Sequence, residues 1–121
     1  MTNLRVLPQS GSFWSIALLL LGGLVPAQAQ VVSVVSNETY ADFTVFLVSN
    51  EAFADLLVYK ESSPNFVSGN KGLWYFEKTP SFAKKKIYFA SNEAFADLKI
   101  YYVSSSNFAG WKNPKKKELL D

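Results

Sequence analysis

Read as apolar and polar positions, the chain from residue 31 onward repeats itself. The eight residues Ser49 to Leu56, S-N-E-A-F-A-D-L, return unchanged at Ser91 to Leu98. A looser copy, S-N-E-T-Y-A-D-F, sits at Ser36 to Phe43. Indexed from its first residue, the unit begins at 36, 49, 62, 78, 91 and 104, in steps of 13, 13, 16, 13 and 13. The long step holds three extra residues in a Gly-rich insert, Ser68-Gly69-Asn70-Lys71-Gly72. Self-similarity at a fixed period marks a repeat architecture and takes precedence over local readings.

Within the unit each place has a constant character. The fifth is aromatic in all six copies: Tyr40, Phe53, Phe66, Phe82, Phe95 and Phe108. The sixth is small or β-branched: Ala41, Ala54, Val67, Ala83, Ala96 and Ala109. Further on come Val45, Val58, Trp74, Ile87 and Ile100, followed by Phe46, Tyr59, Tyr75, Tyr88 and Tyr101. Each unit therefore reads as a polar turn, an aromatic-small pair, and a strand.

The predicted strands are 31–35, 43–48, 56–60, 73–77, 85–90 and 98–103. They are short, Pro-free and rich in Val, Ile, Tyr and Phe. In Phe43-Thr44-Val45-Phe46-Leu47-Val48 both faces are apolar, which predicts strands covered on both sides. The aromatic-small pairs are the expected covering layer. Ser36, Ser49 and Ser91 are placed to cap a brief helical turn through their hydroxyls. Six residues are too few for an independent helix. The expectation is a single all-β domain, with helical or 3₁₀ turns at most.

Residues 1–29 read as a segment outside that domain. Trp14 to Val25 is an apolar run of about a dozen residues, against the roughly 20 needed to span a bilayer. Pro26 breaks it, and Ala27-Gln28-Ala29 supplies a small-x-small cleavage pattern. This predicts a secretory signal peptide, an exported chain starting at Gln30, and no membrane span once processed. The repeat domain is expected over 30–112. Asn113-Pro114-Lys115-Lys116-Lys117 and the residues to Asp121 read as a flexible, solvated basic tail.

Composition narrows the chemistry. The chain has no Cys and no His, so disulfides, thiolate metal sites and imidazole bases are excluded. Its 12 basic and 10 acidic residues provide no charge argument for nucleic acid. So small an exported domain often relies on disulfides. This one must rely on aromatic packing, topology or self-association.

The unit aromatic-Ala-Asp-x-x-Val/Ile-Tyr/Phe, following a Ser-Asn-Glu turn every 13 residues, resembles a known family. Its members are small, mostly bacterial proteins carrying a domain of unknown function, built from tandem x-A-D-x-x-V-Y-x-V segments. The resemblance covers about residues 31–112. It implies a compact all-β domain whose backbone forms a deep seven-crossing torus knot, the septoil. It implies no catalytic or binding residue. True knots are essentially absent from proteins, and composition alone favours two commoner arrangements, a meander closed into a small barrel or a short-coil solenoid. The sequence departs from the unit at the insert, at Lys84-Lys85-Lys86, and at Gly110, where Asp is expected.

The remaining candidates are weighed in pairs. Glu38 with Asp42, Glu51 with Asp55, and Glu93 with Asp97 either form carboxylate rows, with Asn37, Asn50 and Asn92 adjacent, or close their own turns on backbone N–H groups. Lys84, Lys85 and Lys86 either complement acidic neighbours or form an anion site. Tyr59, Trp74, Tyr75, Tyr88 and Tyr101 form either a core row or an exposed binding face. No metal and no cofactor is expected. The leading expectation is a non-enzymatic, exported structural or interaction module whose partner is a protein or glycan. The alternative is an inhibitor or effector of secreted hydrolases that uses insert 68–72 as a protruding loop.

Overall fold

The structure, a computed structural model, describes residues 30–67 and 69–121. The expected leader at 1–29 and Ser68 of the insert lie outside the described residues. The described residues form seven strands: β1 (Val31–Val34), β2 (Phe43–Leu47), β3 (Leu56–Lys60), β4 (Leu73–Phe76), β5 (Lys85–Phe89), β6 (Leu98–Tyr102) and β7 (Gly110–Trp111). Six lie where the apolar blocks predict them. The seventh falls in the last unit, whose strand the sequence does not announce.

Between strands the chain makes one-turn 3₁₀ helices: Glu38–Tyr40, Glu51–Phe53, Pro64–Phe66, Pro80–Phe82, Glu93–Phe95 and Ser106–Phe108. The capping residues differ from expectation. Asn37, Asn50 and Asn92, not Ser36, Ser49 and Ser91, accept the N–H of Thr39, Ala52 and Ala94 at 2.9 Å. The cap must be the extended residue immediately before the turn, and in these units that residue is Asn. Where Asn is lacking there, Ser63 and Ser105 take the same role.

The strands form a closed ring. β1 to β6 pair in parallel in the order β4-β1-β5-β2-β6-β3, and β3 pairs back to β4. β7 lies antiparallel on the first half of β3. Consecutive strands do not pair, apart from β3 with β4. This sets aside the meander and the solenoid, in which neighbours in sequence are neighbours in space. The physical reason lies in the links. The link 35–42 between β1 and β2 has eight residues, short of the dozen or so that joins parallel neighbours. Each such link delivers the chain two places around the ring. A first lap lays down β1 to β4, and a second lap inserts β5 between β1 and β2, β6 between β2 and β3, and β7 against β3.

Strand parity sorts the side chains. Val32, Val45, Val58, Trp74, Ile87 and Ile100 fill the barrel with Phe43, Leu56 and Leu98. Of the intervening outer positions, Phe46, Tyr59, Tyr75, Tyr88 and Tyr101 are half-buried, while Ser33, Thr44 and Leu73 are buried. The aromatic-small pair divides its labour, contrary to the expected covering layer. Ala54 tucks in, but all six turn aromatics are between 60% and 73% exposed. A one-turn helix carries its third residue away from the barrel and its C-cap back toward it.

The terminal segment corrects the expected solvated tail. Pro114–Leu120 forms a 3₁₀ helix, and Leu120 is fully buried in the core cluster. The lysines of the segment stay at the surface, while Leu119 and Leu120 supply apolar area that only the barrel's end can cover.

Candidate functional site

The repeated aspartates are accounted for by the fold. Asp42 Oδ2 accepts the backbone N–H of Lys86 at 2.7 Å, and the Asp42 N–H donates to the Lys86 carbonyl at 2.7 Å. Asp55 makes the same two-bond clasp with Lys99, at 2.8 and 2.7 Å. Asp97 makes it with Thr44, at 2.9 and 3.0 Å. These partners lie 44 to 53 residues away. Each aspartate therefore ties its strand's start to a strand of the other lap and does not close its own turn. The three carboxylates are spent on β5, β6 and β2 and do not converge. Among the described residues no group of three or more acidic side chains is placed to hold a metal ion.

Asp55 carries additional bonds. Its carboxylate also accepts from Asn113 Nδ2 and Lys116 Nζ, each at 3.2 Å. Its carbonyl accepts the N–H of Lys112 and of Asn113. Burial pushes the Asp55 carboxyl up. The Lys99 N–H, Asn113 and the Lys116 ammonium outweigh that and hold it below its ordinary value.

The lysine run is divided by the strand. The Lys84 backbone N–H donates to the Val31 carbonyl, and Lys86 is clasped through its backbone by Asp42. The two ion pairs among the described residues are Lys99–Glu93 and Lys116–Asp55. Neither uses the run.

The expected aromatic row divides as well. Trp74 is fully buried, and its Nε1–H donates to Gln30 Oε1 at 3.0 Å. It belongs to the core and not to an outer face. Tyr101, Tyr59 and Tyr75 lie at outer, half-buried positions on the adjacent strands β6, β3 and β4, while Tyr88 on β5 lies apart from them.

The exposed aromatics are instead those of the turns. Two grooves are built around them. One, of about 600 Å³, is lined by Phe108, Tyr101, Tyr102, Ser104, Glu51 and Leu57. The other, of about 650 Å³, is lined by Tyr40, Val34, Ser36, Asn37, Pro80 and Lys86. Each sets an aromatic ring beside hydroxyl, amide or charged groups and is open to solvent. Sequence reasoning reached all six of these aromatics but assigned them to the covering layer. The available signal was their place within a capped one-turn helix, which lifts the ring off the strand.

The Gly-rich insert is pinned. Asn70 Nδ2 donates to the Lys117 carbonyl and to Asp121 Oδ1 at 2.9 Å, and Asn70 accepts from Trp111 Nε1. Gly72 has φ +89°, and a Cβ there would run into the Leu57 carbonyl, so only glycine fits. The insert thus holds the chain's own C-terminal segment. No helix among the described residues is long and apolar enough to cross a membrane.

A family model described as the 7(1) septoil knot domain matches residues 28–112. That is well over half of the chain, and the chain belongs to this family. The two-lap order, with second-lap strands set between first-lap ones, is the winding that such a knot requires. The matched region ends before the Pro114–Leu120 helix. No curated protein matches the chain.

Proposed function

We propose that this member of the septoil knot family is an exported, non-enzymatic binding module that holds a glycan on the aromatic rings of its 3₁₀ turns. The observation that carries the reading is the exposure of all six turn aromatics, 60% or more in each case. An exposed ring forgoes the stabilisation that burial would give it, and here the same place of the unit does so in all six copies. The alternating arrangement around a barrel suits a glycan better than a protein. A pyranose has one apolar C–H face that stacks on a single ring and hydroxyl edges that bond to groups such as Ser104, Glu51, Asn37 and Ser36. A protein interface needs about 800 Å² per partner, whereas each groove offers a single turn ring, Phe108 in one and Tyr40 in the other. The non-enzymatic part of the reading is supported by the aspartates, which are engaged with backbone N–H groups.

The test is co-sedimentation of the purified protein with insoluble chitin, cellulose and peptidoglycan. Retention on at least one polymer, reduced when Tyr40 and Phe108 are both replaced by Ser, is the expected result. Absence of retention on all three overturns the glycan reading.

A further inference from the structure

The two grooves are the same structural feature occurring twice. Counted from the unit starts, Tyr40 and Phe108 are both the fifth residue of a unit. Facing them, Pro80 and Glu51 are both the third residue of a unit from the other lap, and Lys86 and Leu57 are both the ninth. Each groove thus lies where the end of one strand and its following turn meet the neighbouring strand of the other lap. The first lies at β6 and β3, the second at β1 and β5.

Their positions follow from the ring. Going around it as β1, β5, β2, β6, β3, β4, the junction β1/β5 and the junction β6/β3 are three places apart in six. The grooves therefore open on opposite sides of the barrel. A single polymer strand lying on one side cannot fill both. From this geometry we infer that the protein cross-links: each groove takes a sugar of a separate polysaccharide strand, and the knotted barrel is a rigid spacer between them.

The groove walls differ while the aromatic platform is retained. Glu51 and two tyrosines line one, and Lys86 and Asn37 line the other. The platform ring is the shared determinant, and removing it from either groove should disable that groove alone. Tyr40 and Phe108 are exposed and support no core packing, so their replacement leaves the barrel intact.

This inference rests on the glycan reading and is tested so that the two can fail separately. Light scattering is followed while the protein is titrated into soluble polymers: glycol chitin, hydroxyethyl cellulose and solubilised peptidoglycan strands. Affinity electrophoresis through the same polymers measures binding alone. Cross-linking predicts scattering that rises and then falls as protein saturates the polymer. Tyr40→Ser and Phe108→Ser should each remain retarded in the gel while scattering drops at least about tenfold, because bridging needs both sites at once. If the unaltered protein is retarded but does not scatter, or if either variant scatters as it does, the pairing of the grooves is wrong and the glycan reading stands. If nothing is retarded, both fall.

Discussion

At the end of the barrel where the strands begin, Leu120 is fully buried and the chain's own C-terminus closes the core. At the end where they finish, none of the described residues is buried across the barrel as Leu120 is. The inward position nearest that end is Val34, Leu47, Lys60, Phe76, Phe89 or Tyr102, one from each strand around the ring. Val34 and Leu47 are nearly half exposed there. The closest thing to a lid is Lys60, whose ammonium stands 4.3 Å from the Tyr102 ring and 5.8 Å from that of Phe76. One end is closed by burial and a hub of hydrogen bonds on Asp55. The other stays more open, screened only by aromatic edges and the Lys60 cation. A repeat ends abruptly at both of its termini, and each end must be capped by something outside the pattern. Here the C-terminal segment is that cap, and its site is the start of the strands.

The largest expected contrast is in the two leucines. Leu120→Ala should cost about 2–5 kcal/mol, as for a buried leucine, whereas Leu47→Ala at the open end should cost under about 1 kcal/mol. Urea midpoints at constant m-value measure both. Equal costs would mean that the ends are equally closed.

Next come the aspartates. Asp55→Ala strands the Lys99 N–H and the Lys116 ammonium and should cost about 2–3 kcal/mol; Asp42→Ala, with only the Lys86 clasp, should cost about 1 kcal/mol. A double-mutant cycle between Asp55 and Lys116 separates the tail's share from the clasp's.

The same carboxylate gives the closed end a pH dependence. The folded-state pKa of Asp55 is lowered from an ordinary value of 3.8. Its contribution is therefore full above about pH 4, near the unfolded value, and is lost as pH falls through the lower folded value. Urea midpoints taken from pH 6 down to pH 2 should fall less steeply in Asp55→Asn than in the unaltered protein. An identical slope would show that the Asp55 bonds do not favour its charged form.

The smallest effect belongs to the open end. Lys60→Met keeps the aliphatic stem over the rings and removes the charge, at an expected cost of about 0.5–1 kcal/mol. Burial also raises the Tyr102 hydroxyl above its usual value. A tyrosine absorbance titration should therefore show a late step that Tyr102→Phe removes.

Much of this molecule was legible in the chain. The 13-residue unit placed six strands to within about two residues, put a turn after each, and located the aromatic place that proves exposed. Those features depend on residues close together: β-branched runs favour extension, Asn or Ser caps the turn, and Gly72 alone permits its backbone angle. What the units cannot specify is which copy meets which. Asp42, Asp55 and Asp97 occupy identical local settings, yet each clasps a strand 44 or 53 residues away. Near-identical units present near-identical edges, so the pairing is decided by link length and ring closure. Eight-residue links skip a place, and the second lap fills the gap. That closure also decides which side chains face inward together, why Trp74 is core while its neighbour Tyr75 is not, and why Leu120 finds an open end to fill. Local chemistry determined the pieces, and the winding of the whole chain determined their partners.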